Sequence, residues 1–465
     1  MSREPLDSLA GDTVALLQTL IRNECVNDGT PSSGHETRNA DVLQNYVERS
    51  GVEIERWEPT PGRASFVARL PGRDPNAPKL CLMGHTDVVP VSPEGWREDP
   101  FGGEIIRSTD GQDEVWGRGA VDMLSETASM AVVFRDLARR GFRPSGDVIY
   151  FAVADEEAGS AHGARWVADH HPDAIRCDYV LTENGGIHGS DPQGHRTITV
   201  NVAEKGVAWR RLRVRGTPGH GSMPFGSDNA LVNAAAVVRR LAEYRPAPRF
   251  HELWRPTVEA MGLSSDDQAA LLDERAIDDW LDARLAADRA AGGPSIATHL
   301  HACSHTTFSP NVVETMGRPK TNVIPDVVDL DIDIRHMPGE DTAEVTAHLR
   351  EALGDDLFGR VEIEVLLDDP ASMSRIDTPL WDSLQRAVTA PFPDARLNPT
   401  FGAGFTDCRI FREMGAVAYG AGLLSPTLDG AEFGRRFHGH NERIDIESLK
   451  LTTELWDRVV VDLMT

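Results

Sequence analysis

The chain has 465 residues, of which 40% are hydrophobic and 26% charged, as is typical of a globular protein with two or three domains. Its formal net charge of −26 argues against binding to nucleic-acid phosphates or anionic membranes, which requires basic patches. Five scattered cysteines, no run of 18 apolar residues and no signal-peptide pattern at the start lead us to expect a cytoplasmic protein.

The N-terminal part of the chain alternates between helical and strand-like segments. Helical patterns cover residues 6–22, 35–50, 122–140 and 163–170. Apolar, strand-like runs lie at residues 52–57, 65–70, 80–83, 148–153 and 179–181. This alternation predicts an α/β fold with a mainly parallel sheet and helices on both of its faces.

From about Gly206 the pattern changes to that of a smaller α+β domain. Strand-like segments are predicted at residues 207–215, 327–334 and 361–366, and helices at 229–242 and 343–353. Residues 250–300 are rich in Ala and Asp and are predicted to be helical, with no role indicated. We therefore predict a catalytic domain in two parts, residues 1–205 and 371–465, with residues 206–370 inserted between them.

Three short segments combine acidic residues or histidine at the ends of apolar runs. They are residues 84–90 (GHTDVVP), 117–123 (GRGAVDM) and 154–159 (ADEEAG). Open α/β sheets place their chemistry at the carboxyl ends of the strands, so we expect His85 and the pair Glu156 and Glu157 to share one rim of the sheet. Imidazole and carboxylate groups on one rim are typical of a site for hydrolytic metal ions.

Five residues are candidate metal ligands: His85, Asp122, Glu157, Glu183 and His438. Taken singly, each has a structural alternative, such as a helix cap for Asp122 or a solvated helix start for Glu157. All five, however, fall at the ends of apolar segments in one α/β frame, which favours a metal site.

Two neighbouring carboxylates are candidates for catalytic work. Asp87 lies two residues after His85 and suits the orientation of a metal-bound imidazole. Glu156 lies beside Glu157 and could take a proton from metal-activated water as a general base.

These segments resemble those of the di-zinc aminoacylase and carboxypeptidase family, which includes acetylornithine deacetylase, succinyl-diaminopimelate desuccinylase, aminoacylase-1 and bacterial dipeptidases. The resemblance implies two zinc ions per subunit, with cobalt or manganese as substitutes. It implies that one ion is held by His85 and Glu183 and the other by Glu157 and His438, with Asp122 bridging them and Glu156 as catalytic base. The family pattern His-x-x-Asn/Asp-Glu fits His438 better than His440. One departure is Leu124-Ser125, where the family usually has Lys-Gly.

The inserted domain carries the resemblance as well. Residues 216–222 (GTPGHGS) are similar to the family's lid motif, which implies that His220 polarises the scissile carbonyl in a partner subunit's site. The inserted domain is thus expected to be a lid and a dimerisation domain of a homodimer. Asn322 and Arg335 match substrate-binding positions, although a salt bridge to Asp333 is the alternative for Arg335. Residues 402–407 (GAGFTD) resemble a substrate loop, which implicates Gly402, Gly404 and Thr406.

The predicted function is a zinc-dependent amidohydrolase acting on N-acyl amino acids or short peptides with a free carboxylate. Deacylase and dipeptidase or carboxypeptidase interpretations share every catalytic residue, so both stay open. A metal-stabilised binding protein without catalysis is disfavoured because Glu156 is intact. A metallophosphoesterase would need more basic residues than these motifs supply. We expect a small-molecule substrate and neither nucleic-acid nor membrane partners.

Overall fold

The structure is a computed structural model that describes residues 5–49, 51–109, 111–292, 295–315, 317 and 320–465. The predicted helix end at residue 50, and residues 293 and 294 of the predicted helical stretch, lie outside the described residues. The chain divides into two compact units. The first comprises Met1–Val202, Met373–Thr400 and Thr406–Thr465, and the second Ala203–Ser372 and Phe401–Phe405.

The bounds of the helices and strands follow in chain order. The helices are α1 (Pro5–Arg22), α2 (Thr37–Val47), α3 (Leu124–Arg139), α4 (Ala164–His170), α5 (Pro172–Ile175), α6 (Ala230–Glu243), α7 (Trp254–Ala260), α8 (Ser265–Leu271), α9 (Ile277–Ala290), α10 (Ile296–Ser304), α11 (Thr342–Phe358), α12 (Pro379–Thr389), α13 (Cys408–Glu413), α14 (Gly430–Arg436) and α15 (Ile446–Met464). The strands are β1 (Glu53–Trp57), β2 (Ser65–Leu70), β3 (Leu80–His85), β4 (Glu104–Arg107), β5 (Asp113–Trp116), β6 (Val148–Val153), β7 (Tyr179–Thr182), β8 (His188–Ser190), β9 (Arg196–Glu204), β10 (Gly206–Arg215), β11 (Gly219–His220), β12 (Thr307–Thr315), β13 (Val323–Ile324), β14 (Val327–His336), β15 (Val361–Asp369), β16 (Ser372–Met373), β17 (Arg396–Gly402), β18 (Val417–Gly420) and β19 (Arg443–Asp445).

The first unit is built on a ten-stranded mixed sheet with a parallel centre. Strands β6, β3, β7 and β18 lie side by side in parallel, and antiparallel strands flank them, with β2 pairing β6 and β9 pairing β18. The central strands are almost continuously buried, which explains their unbroken apolar runs. The predicted α/β fold is confirmed, with its parallel strands at the centre of the sheet.

Helices cover both faces of the central sheet. On one face, Cys81, Met83 and Phe151 form a core with side chains of α4, α5 and α13. On the other face, α3 packs on β3 and β6, and the Tyr150 hydroxyl donates a hydrogen bond to the carbonyl of Thr127 in α3 at 3.1 Å. Burial on both faces holds the central strands in place. It therefore also holds the edge of the sheet at which these strands end and the candidate ligands lie.

The second unit contains a four-stranded antiparallel sheet in the order β12-β14-β10-β15. One face of this sheet packs against α6 and α11 and buries Leu330, Ile332 and Ile334, the alternating residues that the sequence indicated. The other face carries paired charges, such as Arg211 with Asp331 at 2.7 Å. Helices α7 to α10 occupy the stretch predicted to be helical.

Among the helices of the described residues, none combines the length and the apolar character needed to cross a lipid bilayer.

Candidate metal centre

Three adjacent parallel strands end at one rim and each delivers a candidate ligand there. Strand β3 ends at His85, which pairs in register with Val153 at the end of β6. Glu156 and Glu157 follow β6 in a short 3₁₀ turn. Glu183 follows β7, which ends at Thr182. The carboxyl ends of these strands therefore gather an imidazole and three carboxylates, as the position of the apolar runs indicated.

The Asp122 carboxylate lies between two imidazoles. Its Oδ1 is 3.1 Å from Nε2 of His85, and its Oδ2 is 2.7 Å from Nε2 of His438. On the outer sides, His85 Nε2 is 3.8 Å from Glu183 Oε1, and His438 Nε2 is 3.4 Å from Glu157 Oε2. The structure thus brings all five candidate ligands into one cluster, with one oxygen of Asp122 facing each histidine.

The ligand atoms are close enough to share cations. Those of His85, Asp122 and Glu157 lie within 4.8 Å of one another, and so do those of His85, Glu156 and Glu183. All of these side chains are at least nine-tenths buried except that of His438, which is 45% exposed. The cluster is therefore a compact, largely dehydrated set of imidazole and carboxylate donors.

The cluster contains more buried carboxylates than cationic groups, so a bound positive charge would stabilise it. Burial, followed by repulsion from Asp122, raises the pKa of Glu157 to about 7 and that of Glu183 well above its usual value. Burial also raises the pKa of Glu156. Burial opposes charge on His438, but hydrogen bonds with Asp122 and Glu157 outweigh it and raise its pKa to about 10. Buried carboxylates in such excess are stabilised by bound cations.

The donor set fits divalent metal ions. Glu157 Oε1 is buried without a hydrogen-bond partner, so one oxygen of a candidate ligand is left for another occupant. Imidazole nitrogens and carboxylate oxygens are ligands of zinc and related ions, and a carboxylate placed between two imidazoles suits a pair of such ions.

Asp87 contacts His85 differently from the expectation that its carboxylate holds the imidazole. The nearest acceptor for Nδ1 of His85 is the backbone carbonyl of Asp87 at 3.0 Å, whereas Asp87 Oδ1 is 3.6 Å away. Backbone carbonyls serve the same orienting purpose for metal-bound histidines as carboxylates do. Asp87 thus reaches His85 mainly through its main chain.

Non-glycine residues with left-handed backbone conformations surround the cluster. Asp155 (φ 69°) precedes Glu156, Asn184 (φ 76°) follows Glu183, and His438 itself has φ 55°. Each such residue costs about 1–3 kcal/mol and persists where the surrounding contacts enforce it. Strain of this kind is concentrated at functional sites.

Comparison with known proteins agrees with this geometry. The sequence profile of peptidase family M20/M25/M40 matches residues 81–462. The chain belongs to that family. It is a metal-dependent hydrolytic enzyme of the metallopeptidase and aminoacylase type that acts on small molecules, and the resemblance seen in the sequence is confirmed.

Relatives of the M20/M25/M40 enzyme align over most of its length. N-fatty-acyl-amino acid synthase/hydrolase PM20D1 of Xenopus tropicalis is 27% identical over 86% of this chain and 75% of that protein. Mouse aminoacylase-1 is 25% identical over 86% of this chain and 84% of that protein.

Two solved structures share the fold. The M20 family metallo-carboxypeptidase Sso-CP2 of Sulfolobus solfataricus superposes with a TM-score of 0.70 at 16% identity, covering 97% of this chain and 98% of that one. The YXEP protein of Bacillus subtilis, a dinuclear metal-binding peptidase of the same family, superposes with a TM-score of 0.56 at 13% identity, covering 98% and 99%.

The segment 216–222, which resembles the family's lid motif, lies in the second unit of this M20/M25/M40 enzyme. Strand β11 pairs with β13, and the Gly221 amide donates to the Asn322 carbonyl at 2.8 Å, so His220 and Asn322 are neighbours. The exposed His220 ring accepts at Nδ1 from the Ser222 amide at 3.2 Å and lies 2.8 Å from its hydroxyl. Among the described residues, no hydrogen bond to its Nε2 is found.

The other predicted substrate residues have mixed surroundings. Arg335 forms the salt bridge to Asp333 at 2.6 Å that the sequence left open, and its guanidinium lies 4.5 Å from the Phe405 ring centroid. Its Nη1 is buried without a hydrogen-bond partner. The Gly402 carbonyl accepts from the Lys205 amide at 3.1 Å. Gly404 has open space where a side chain would lie, so close packing does not explain this glycine. Thr406 is buried in the first unit.

Two residues that support the cluster, Glu442 and Asn27, were not assigned a role from the sequence. Glu442, the last residue of the His438 pattern, accepts hydrogen bonds from the amides of Val121 at 2.7 Å and Asp122 at 3.0 Å. Asn27 bonds Asp87 at 2.8 Å from a loop far away in sequence. The position of Glu442 within the motif was a usable signal, whereas nothing in the local sequence of Asn27 indicates its contact.

Proposed function

We propose that this M20/M25/M40 enzyme is a di-zinc amidohydrolase that cleaves the amide bond of N-acyl amino acids or short peptides bearing a free carboxylate. The observation that carries the proposal is the Asp122 carboxylate between His85 and His438, with the Glu156 carboxyl in the same cluster. The names of PM20D1 and aminoacylase-1 indicate N-acyl amino acids as substrates of those relatives.

The ligands divide into two sets around Asp122. We assign His85 and Glu183 to one ion and Glu157 and His438 to the other, and Asp122 would be shared by both. Zinc is the proposed metal, with cobalt or manganese as substitutes, because mixed imidazole and carboxylate donors suit these ions. When bound, the ions supply polarisation of the scissile carbonyl and a lower pKa for the attacking water.

Glu156 is the proposed general base. Its carboxylate takes a proton from the attacking water and returns it to the nitrogen of the leaving amine, so that no net proton is consumed within the site. Burial favours this exchange because it raises the pKa of Glu156 toward that of a usable proton acceptor. Asp87 keeps His85 in place through its main-chain carbonyl.

The second unit contributes the proposed lid and substrate contacts. His220, held at Nδ1 by Ser222, presents Nε2 for the scissile carbonyl oxygen of a partner subunit's substrate. Arg335 offers its unpartnered Nη1 to the substrate carboxylate. Asn322, Gly402 and Gly404 of the second unit, and Thr406 of the first, complete the proposed substrate-binding set.

Residues 206–370 are the proposed lid and dimerisation domain, set between the two catalytic parts at 1–205 and 371–465. Its sheet has two edge strands that carry exposed apolar side chains, Val312 and Val313 on β12 and Val365 and Leu366 on β15. Exposed apolar edge strands are commonly covered by a partner. We propose a homodimer formed through this domain. The free cysteines support a cytoplasmic location, and the net charge of −26 supports the absence of nucleic-acid and membrane partners.

A dipeptidase or carboxypeptidase activity is the second candidate, favoured by the likeness to a metallo-carboxypeptidase fold. A panel of N-acyl amino acids and dipeptides, with released amine as the readout, separates the two. A protein that binds zinc but hydrolyses nothing on this panel would instead be the non-catalytic binding protein.

Substitution of neighbouring carboxylates tests the catalytic assignment. Glu156→Gln should keep both zinc ions and lower turnover by about 10²–10⁴-fold, because it removes the proton acceptor but no ligand. Glu157→Gln, in the same turn, should lower zinc content as well as turnover. Zinc content is measured by elemental analysis after dialysis. Full turnover by Glu156→Gln, or loss of zinc from it, would contradict its role as base.

A further inference from the structure

The side chain of Asn27 contacts residues that follow two strands of the candidate metal centre. It lies in the loop between α1 and α2 and is 3% exposed. Its Nδ2 donates a hydrogen bond to Asp87 Oδ2 at 2.8 Å and lies 3.3 Å from Asp155 Oδ1. Asp87 follows β3, and Asp155 follows β6. One amide group therefore spans the two strand ends that deliver His85 and the Glu156–Glu157 turn.

The two carboxylates that Asn27 contacts are costly to keep together. Asp87 is fully buried and Asp155 is 2% exposed, so water cannot screen their repulsion. Nη1 of Arg63, 3.5 Å from Asp155 Oδ1, offsets part of this repulsion from the Asp155 side. The two N–H groups of one amide are neutral donors that can reach one oxygen of each carboxylate. Asp87 Oδ2 also accepts from the backbone amide of Glu157 at 3.1 Å, which ties a proposed ligand directly to this contact.

The orientation of the Asn27 amide is fixed from its other side. Its Oδ1 accepts from Nη2 of Arg63 and from the Gly29 amide, each at 3.0 Å. Arg63 is itself 2% exposed and forms an ion pair with Glu36 at 2.6 Å. Because Oδ1 faces two donors, Nδ2 has to face the carboxylates.

Both carboxylates lead directly to the proposed catalytic groups. The Asp87 carbonyl accepts from Nδ1 of His85 at 3.0 Å. Asp155, with φ 69°, immediately precedes Glu156, and its Oδ2 accepts from the His162 amide at 2.8 Å. A shift of either carboxylate would move the imidazole of His85 or the turn that carries Glu156 and Glu157.

We propose that Asn27 is a positioning residue that sets the spacing between His85 and the Glu156–Glu157 turn through Asp87 and Asp155. Its amide acts as a neutral spacer between two buried carboxylates, and Arg63 with Glu36 holds that amide. The inference rests on the proposed function only for the identity of the ligands.

The chain offers a matched control in Asn39. Asn39 is also fully buried, and its Nδ2 donates to the carbonyl of Thr86, the residue between His85 and Asp87, at 2.8 Å. Its amide oxygen accepts from Asn23 at 2.9 Å. Asn39 thus forms a hydrogen bond with the same strand end without contacting a carboxylate. Its loss should lower the stability of the protein but should not change the distance between His85 and the Glu156–Glu157 turn.

Zinc affinity of the full-length protein tests the proposal. Metal-depleted Asn27→Ala and Asn39→Ala are titrated with Zn²⁺ against a competing chelator, and urea unfolding reports their stability. We expect both to lose stability, whereas Asn27→Ala should lower zinc affinity about 10–100-fold and Asn39→Ala should not change it measurably. Equal zinc affinity of the two variants would overturn the proposal.

A second variant separates repulsion from simple loss of packing. Asn27→Ala combined with Asp155→Asn removes one of the two facing charges and should recover part of the lost zinc affinity. No recovery would overturn the spacer role. If Asn27→Ala fails to fold, Asn27→Ser can replace it, because serine keeps one hydrogen-bond donor. This variant should bind zinc with an affinity between those of the wild type and a variant without a donor. Zinc affinity equal to that of the wild type would contradict the proposal. Zinc binding needs no turnover, so inactivity of the wild type would defeat the proposed function and not this inference.

Discussion

Glu442 holds the backbone that presents Asp122. Its carboxylate is fully buried, accepts from the amides of Val121 and Asp122, and is paired with Arg118 at 2.6 Å. A buried carboxylate with three donors is satisfied on each side, so it restricts both the rotation and the position of the turn. The position of Asp122 between His85 and His438 therefore depends on a contact that spans more than 300 residues.

Glu442→Gln should destabilise the protein and weaken zinc binding. An amide cannot neutralise the buried Arg118, and breaking a buried pair costs about 3–5 kcal/mol. Glu114→Gln is the control, because Glu114 pairs with Arg436 at 3.0 Å and has no contact with Asp122 among the described residues. Urea unfolding should show losses for both variants, and chelator competition should show weaker zinc binding for Glu442→Gln alone. Equal zinc affinities would refute the role of Glu442.

The stretch that contains helices α7 to α10 contacts Phe401 at two points. The His251 ring, just before α7, stacks on the Phe401 ring with centroids 4.0 Å apart. The Cys303 thiol of α10 lies 3.6 Å from the Phe401 carbonyl oxygen. These contacts lie within the second unit. They connect the inserted helical stretch to Phe401, a role that its composition did not indicate.

His251→Ala should lower the free energy of unfolding of the enzyme by about 1 kcal/mol or more, since stacked aromatic pairs contribute about 0.5–1.5 kcal/mol beyond burial. His251→Phe should retain it, because neither ring nitrogen has a hydrogen-bond partner in the described residues. Urea unfolding at neutral pH measures both changes. Equal destabilisation by Ala and Phe would show that stacking is not the contribution.

The same pair of variants predicts a pH dependence. Burial lowers the pKa of His251 to about 4 from its ordinary value of 6.5. Below pH 6.5 the His251 side chain is protonated in the unfolded chain, whereas in the folded chain it is protonated only below about pH 4. The free energy of unfolding therefore decreases as the pH falls through this range. His251→Phe should therefore lose less stability than the wild type between pH 7 and pH 5.

The elements themselves show what the sequence could predict. Apolar runs located β6 at its observed bounds and placed His85 and Glu157 on one rim, because burial on both sheet faces leaves a local pattern. Asn27 and Arg63 leave no such pattern, since apart from Gly29, which donates to Asn27, the partners named here lie 27 to 128 residues away. The orientation of His85 toward a carbonyl rather than a carboxylate was likewise a matter of tertiary geometry.

In the molecule as a whole, two features bear on its partners. The net negative charge argues against binding to polyanions, and the exposed apolar edges of the second unit favour contact with another protein surface. The net charge of −26 disfavours polyanions, whereas Val313 on β12 is 60% exposed and Val365 on β15 is 53% exposed. A second copy of the chain presents the same apolar edges, and closed twofold pairing would cover one of the two edges on both subunits.

Mixing two inactive variants tests whether subunits complete each other. His220→Ala and Glu156→Gln should each be nearly inactive alone. If His220 serves the partner's site, a mixed dimer contains one complete site, and random exchange of equal amounts restores about a quarter of wild-type turnover. Released amine is assayed after denaturation-free subunit exchange, with either variant incubated alone as control. Absence of recovery in dimers shown to be mixed would place His220 in its own subunit's site.

The division of the chain at Val202, Ser372, Thr400 and Phe405 means that the polypeptide passes between the two units four times. A gene fragment encoding residues 203–372 would therefore omit Phe401, and its His251 would lose a stacking partner. Chimaeras that exchange this unit between relatives need four junctions rather than two, with the short Phe401–Phe405 stretch transplanted alongside the long insert.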